Sequence, residues 1–140
     1  MLRFTQPRPG EPSRLRAIRA LFLRHGAERT PEGRSLRLLR AWLSPAQRAH
    51  FAEKGYFEVI GGDTGKRYRI YPGAGMNVLE VDQKGRPRIG FCFMPQGELP
   101  IGDVMLAQKI ALENRENSAL AVANQFVPNA FSFRRGRLLG

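Results

Sequence analysis

Across residues 56–93 apolar and polar positions alternate in four short runs, the signature of half-buried strands. Tyr56-Phe57-Glu58-Val59-Ile60 and Arg67-Tyr68-Arg69-Ile70-Tyr71 flank the Gly-rich reversal Gly61-Gly62-Asp63-Thr64-Gly65-Lys66, which predicts an antiparallel hairpin. Its register places Ile60 opposite Arg67, Val59 opposite Tyr68, Glu58 opposite Arg69 and Phe57 opposite Ile70. Residues 77–81 and 87–93 form a second expected hairpin around Asp82-Gln83-Lys84-Gly85, where Gly85 suits the left-handed residue that closes a type I turn. Pairing Asp82 with Arg86 then puts Glu80 opposite Arg88 and Leu79 opposite Ile89. Both hairpins sort Phe57, Val59, Tyr68, Ile70, Leu79, Val81, Ile89, Phe91 and Phe93 onto one apolar face and opposed Glu–Arg pairs onto the other.

Helical periods lie on either side. Pro7, Pro9, Gly10 and Pro12 make residues 1–12 an extended, flexible basic arm. Ser13 is placed to cap a helix over 13–25 that stops at Gly26, with Leu15, Ile18, Leu21 and Phe22 on its apolar stripe. Thr30-Pro31-Glu32 predicts a second start, and Leu36, Leu39 and Leu43 line that helix, with Leu38 and Trp42 widening the buried face. Ser44-Pro45-Ala46-Gln47 has capping-box spacing, so a third, short helix starts at once and ends near Lys54 before Gly55, burying Ala46 and Phe51. Beyond the sheet, Pro100 opens a largely apolar helix to Asn114 that is expected to lie across the sheet, and Asn117 or Ser118 starts a last short helix. No helical or strand period continues through 128–137. The expected fold is therefore α+β: basic N-terminal helices, a four-stranded antiparallel meander, and a C-terminal helix on the sheet's apolar face. Its expected division is an arm over 1–12, a basic helical region over 13–54, a core over 55–124 and a tail over 125–140.

Charge changes the picture from fold to partner. The 140 residues hold 19 Arg and 4 Lys against 12 acids, a net charge of +11, and residues 1–54 alone carry +8. Such an excess attracts polyanions and releases counterions when it neutralises phosphates. One cysteine precludes an intramolecular disulfide, no signal peptide is legible, and no run reaches the ~20 apolar residues of a membrane-spanning helix. A cytoplasmic protein of a bacterial or phage-infected cell, without membrane association, is expected.

From Gly55 to Asn124 the motifs G-Y-F-E-V-x-G-G-x-T-G-K-R-Y-R-I, N-V-x-x-x-D-x-x-G, C-F-M-P and L-P-I-G-D-V-M-L-A-Q-K-I-A-L-E-N resemble an uncharacterised group of small bacterial and phage proteins. The resemblance covers about half the chain and carries no established activity. It implies that 55–124 is the folded unit and that the basic N-terminal half is a variable attachment.

Catalytic chemistry finds little footing. The Gly-rich loop lacks the P-loop's G-x-x-x-x-G-K-[ST] order and joins two strands, so it reads as a flexible hairpin tip. Cys92 is a small packing residue beside Gly90, His25 a helix-end residue, and His50 has no metal-ligand spacing. Glu98, Asp103, Glu113 and Glu116 would make an acidic cluster, but Asp103 suits the first turn of a helix and Glu113 and Glu116 suit solvated helix ends. Neither an enzyme activity nor a cofactor or metal is expected. A helix-turn-helix reading fails on the one-residue junction at Ser44, although Gln47, Arg48, His50 and Lys54 would offer polar groups. The sheet's outer face, with Glu58, Arg69, Glu80 and Arg88, suits solvent better than stacked bases. The expected function is non-catalytic binding of DNA or RNA phosphates through Arg3, Arg8, Arg14, Arg16, Arg19, Arg24, Arg34, Arg37 and Arg40, with Lys66 and Arg67 as a second contact. The alternative is a protein-interaction adaptor or structural subunit of a larger phage-derived or nucleoprotein assembly, held through the basic arm and a tail carrying Phe126, Phe131 and Phe133.

Overall fold

The computed structural model describes residues 29–73, 75–93 and 97–128; the expected arm, the helix over 13–25 and the chain beyond 128 lie outside them. The first described helix, α1 (Pro31–Trp42), starts where Thr30 accepts a hydrogen bond from the Gly33 N–H at 3.0 Å and Pro31 presets the first turn. A two-residue break, Leu43-Ser44, rather than the expected single residue, leads to α2 (Pro45–Lys54), whose capping box is complete and whose end is set by Gly55 at φ 78°.

Five strands follow the chain order as an antiparallel sheet: β1 (Phe57–Ile60), β2 (Arg67–Ile70), β3 (Val78–Val81), β4 (Pro87–Cys92) and β5 (Asn124–Phe126). The expected count of four fails because β5 adds to the edge of β4, where the sequence places the end of the core and the start of the tail. Three residues are too few to show a period. Between β4 and β5 runs α3 (Ile101–Ala121), two helical segments that meet at a kink where Arg115 leaves helical geometry (φ −142°, ψ 49°). The expected stop near Asn114 and restart near Asn117 fall at this kink, where two helical segments meet.

The first hairpin pairs as the alternation predicts, from Phe57 opposite Ile70 to Ile60 opposite Arg67. The second does not. Val81 pairs with Pro87, a bulge intervenes, and Glu80 then faces Ile89 and Leu79 faces Gly90. The phase of β3 also differs from expectation, because Ile70 pairs with Val78. Asn77 fixes that register: its Nδ2 donates to the Tyr71 carbonyl at 2.9 Å, and its amide exchanges two hydrogen bonds with buried Gln108 of α3. Leu79 and Val81 therefore leave the main core and join Tyr71, Tyr56 and Phe126 in a smaller cluster on the reverse side.

The main core lies between the other face of the sheet and the three helices, around Leu36, Leu39, Phe51, Phe57, Ile70, Phe91, Met105 and Leu112. α3 packs on the sheet, with Met105, Leu106 and Leu112 inward and Ala107 and Ile110 exposed, so it is covered on one side rather than all round. Leu38 and Trp42, expected inside, are 47% and 59% exposed, because α1 turns Leu36 and Leu39 to the core instead. Ala46 is likewise exposed. Gln47 covers the outer edge of β1, where its Nε2 donates to the Glu58 carbonyl at 2.9 Å.

Candidate nucleic-acid interface

Of the basic residues singled out in the sequence, Arg3, Arg8, Arg14, Arg16, Arg19 and Arg24 lie outside the described residues. Arg34, Arg37 and Arg40 sit on α1, whose buried side is formed by Gly33, Ser35, Leu36 and Leu39. Helical spacing then turns Arg34, Arg37, Leu38 and Ala41 outward, and these four line a shallow depression of about 440 Å³. Arg40 is half-buried. Burial, and then the charges of Arg37 and Arg48, hold its guanidinium below the ordinary arginine range. Arg48 of α2 thereby joins a like-charged group at the α1–α2 junction, with its own guanidinium donating to the Leu43 carbonyl at 3.3 Å. Gln47, the best base-reading candidate on α2, is committed elsewhere: to the Ser44 cap, the β1 edge and the Glu113 carboxylate.

Lys66 and Arg67 lie apart from this surface and share no lining residue with it. They border an open cleft of about 480 Å³ between the two hairpin tips, together with Lys84, Arg86, Arg88, Glu80 and Asp82. Arg67 holds the tips together. Its guanidinium bonds Glu58 Oε1 at 2.8 Å and the carbonyls of Asp82 and Gln83 at 3.3 and 3.1 Å. Arg69 takes the other Glu58 oxygen at 2.8 Å and lies over the Tyr56 ring. Although burial opposes it, these two arginines hold the Glu58 carboxyl below its ordinary value. Asp82 closes the second turn by accepting from the Lys84 and Arg86 N–H groups, both at 2.9 Å, and from Arg86 Nε at 2.8 Å. Glu80 is buried at the cleft floor, with Lys66 Nζ and Arg88 Nε each 3.7 Å away. The unbulged register expected from the sequence hides this grouping, since it sets Arg88 squarely across from Glu80.

The Gly-rich loop is not a free tip. Glu116, wholly buried just beyond the α3 kink, accepts hydrogen bonds from the Asp63 and Thr64 N–H groups at 3.0 and 2.8 Å and from the Thr64 and Tyr68 hydroxyls. Asp63 Oδ2 answers by accepting from the Asn117 N–H at 2.9 Å, which caps the second half of the helix. Gly61 and Gly62 permit this approach: a Cβ on Gly61 would fall closer than 3.0 Å to the Glu116 carboxyl, and one on Gly62 equally close to the Glu113 carbonyl. The loop forms an anion cradle, and the chain's own carboxylate fills it. Sequence reasoning treats Glu116 as a solvated helix-end residue; the clue to its role is a loop of amide and hydroxyl donors in need of an anion.

His50 is exposed and Cys92 half-buried in β4. Among the described residues no group of three or more His, Cys, Asp or Glu is arranged to hold a metal ion, and no helix is long and apolar enough to cross a membrane. Compared with known proteins, the chain matches no family model, no curated protein and no solved structure.

Proposed function

We propose that the protein binds nucleic acid without catalysis, through backbone phosphates, using the arginine-rich surface of its N-terminal half. The observation that carries this reading is the outward placement of Arg34 and Arg37, which line one depression on α1 and are both exposed. Arginine forks match phosphate geometry. Arg3, Arg8, Arg14, Arg16, Arg19 and Arg24 extend the same excess of charge along the chain. Base readout is not part of the proposal, because Gln47 is internally bonded and the sheet's reverse side is occupied by ion pairs and packed rings.

The test is a fluorescence-anisotropy titration of duplex DNA, single-stranded DNA and structured RNA over a range of salt. Replacing Arg34, Arg37 and Arg40 by Gln should weaken binding and lower the log–log salt slope by roughly one for each phosphate no longer neutralised. An unchanged slope refutes the reading.

A second reading, an adaptor within a larger assembly, is favoured by one observation. Phe93, Leu99, Val104, Ala107, Ala111 and Val122 line an apolar groove of about 280 Å³ beside α3. A stoichiometric protein assembly that survives salt high enough to strip nucleic acid supports it; a particle of unchanged size does not.

A further inference from the structure

The cleft between the hairpin tips is built from both loops; Arg67 and Arg86 are engaged in its walls, whereas Lys66, Lys84 and Arg88 are not spent on hydrogen bonds of the fold. Among the described residues, the side chains of Lys66, Lys84 and Arg88 donate no hydrogen bond; Lys66 and Arg88 stand 3.7 Å from Glu80, beyond hydrogen-bond length. Glu80, its side chain 5% exposed, therefore orients two cations from below while their donors remain open to the cleft. The bulge contributes to this arrangement. It sets Ile89 rather than Arg88 opposite Glu80, so Arg88 is released from direct cross-strand pairing, and its side chain is 62% exposed. Arg67 is the strut that fixes the separation of the tips through Glu58 and the Asp82 and Gln83 carbonyls.

The chemistry of the lining narrows the ligand. Lys66, Arg67, Lys84, Arg86 and Arg88 face two carboxylates, and Asp82 is already engaged by its own turn and by Arg86. Nor does an aromatic ring line the cleft, so it offers no platform on which a base can stack. The volume of about 480 Å³ is that of a small-ligand site. On the far side of the first tip, Glu116 fills the backbone cradle, which leaves anions to the side-chain face.

We propose that this cleft binds two or three neighbouring phosphate groups, supplied by a nucleic-acid strand, with Lys66, Lys84, Arg86 and Arg88 as the contacts and Arg67 as a positioning residue. That source rests on the nucleic-acid reading above; the phosphate site itself does not. The probes are sodium tripolyphosphate and a short oligothymidylate, each titrated into the full chain at constant ionic strength by calorimetry and amide NMR. Saturable, equimolar tripolyphosphate binding is expected, with shifts at Thr64, Lys66, Lys84 and Arg88. Lys84→Gln/Arg88→Gln should weaken it about 10-fold or more, through the loss of charge-assisted bonds, while Arg34→Gln/Arg37→Gln should leave it unchanged. Lys84→Gln alone, in an exposed turn, gives the same direction without touching the Glu80 pair. Tripolyphosphate binding that ignores Lys84 and Arg88, or no saturable binding, overturns the site even where oligothymidylate still binds through α1. Tripolyphosphate held in the cleft with no oligothymidylate bound to any form supports the phosphate site and refutes the nucleic-acid source.

Discussion

Replacing Glu116 with Gln tests the most consequential interaction in the structure while keeping the side chain's shape. One carboxylate oxygen accepts from two backbone N–H groups, which cannot turn away, and the other from two hydroxyls, which can. The Gln carbonyl can take the place of the first oxygen. Its NH2 then faces the Thr64 and Tyr68 hydroxyls, which must rotate to accept, and charge assistance is lost from the whole cluster. Hydrogen bonds to a charged group are worth about 1.5–3 kcal/mol each when broken, and partial replacement leaves a net loss in that range. For a chain of this length that corresponds to a fall in Tm of roughly 6–12 °C. Acid dependence supplies an independent reading. Burial alone would raise the Glu116 carboxyl, but the donors of Thr64, Tyr68 and Asp63 outweigh it and hold the carboxyl below its ordinary value of 4.5. The folded state then binds fewer protons than the unfolded state, so this contribution is present above that ordinary value and is lost as pH falls through the folded one. Urea unfolding followed by circular dichroism, from near neutral pH down to about pH 3, should show a shallower acid limb for Glu116→Gln. A variant within about 0.5 kcal/mol of the parent, the usual scatter of surface substitutions, or one with a parallel acid limb, refutes the account.

Gly61→Ala drives a methyl into the same carboxylate and should cost about 1–3 kcal/mol by overpacking; a double-mutant cycle with Glu116→Gln should be strongly non-additive, and additivity would separate the two. Gly90→Ala displaces the Phe126 ring from β4, so hydrogen exchange at residues 124–126 should quicken while the first hairpin's protection is unaltered. Asn77→Ala leaves buried Gln108 and the Tyr71 carbonyl without their partner and should cost about 2–3 kcal/mol in denaturant unfolding. Met76 sits at φ 47°, so Met76→Val should destabilise by about 1 kcal/mol whereas Met76→Gly should not.

Local chemistry written into consecutive residues is legible without the structure. Thr30, Ser44 with Gln47, and Gly55 set helix ends through atoms within three or four positions, and the first hairpin's register follows from alternation on both sides of one loop. The second register is not legible, because a single bulged residue moves every later pair by one, and alternation does not mark where an extra residue lies. The phase of β3 depends on an Asn77–Gln108 amide pair across 31 positions. Exposure of Leu38 and Trp42 depends on what α1 meets, and here α3 approaches the side bearing Ser35, against which Gly102 packs without room for a Cβ. The cleft between the hairpin tips is half visible: Lys66 and Arg67 stand out as phosphate-binding candidates, but their meeting with Lys84, Arg86 and Arg88 is a product of the tertiary pairing.

The bonding of Glu116 to the loop has a consequence for the order of folding. Thr64 and Glu116 are 52 positions apart, whereas the hairpin that presents the donors closes over a handful of residues. Loop-closure entropy favours the hairpin first, so its tip forms with its N–H and hydroxyl groups still bonded to water, and the carboxylate displaces that water late. An interaction made after the rate-limiting step leaves the folding rate nearly untouched and governs the rate of opening. Removing the Glu116 charge should therefore shorten the lifetime of the native state rather than delay its arrival. A chain emerging from synthesis would carry a correctly paired but unsealed hairpin until residue 116 has followed it out.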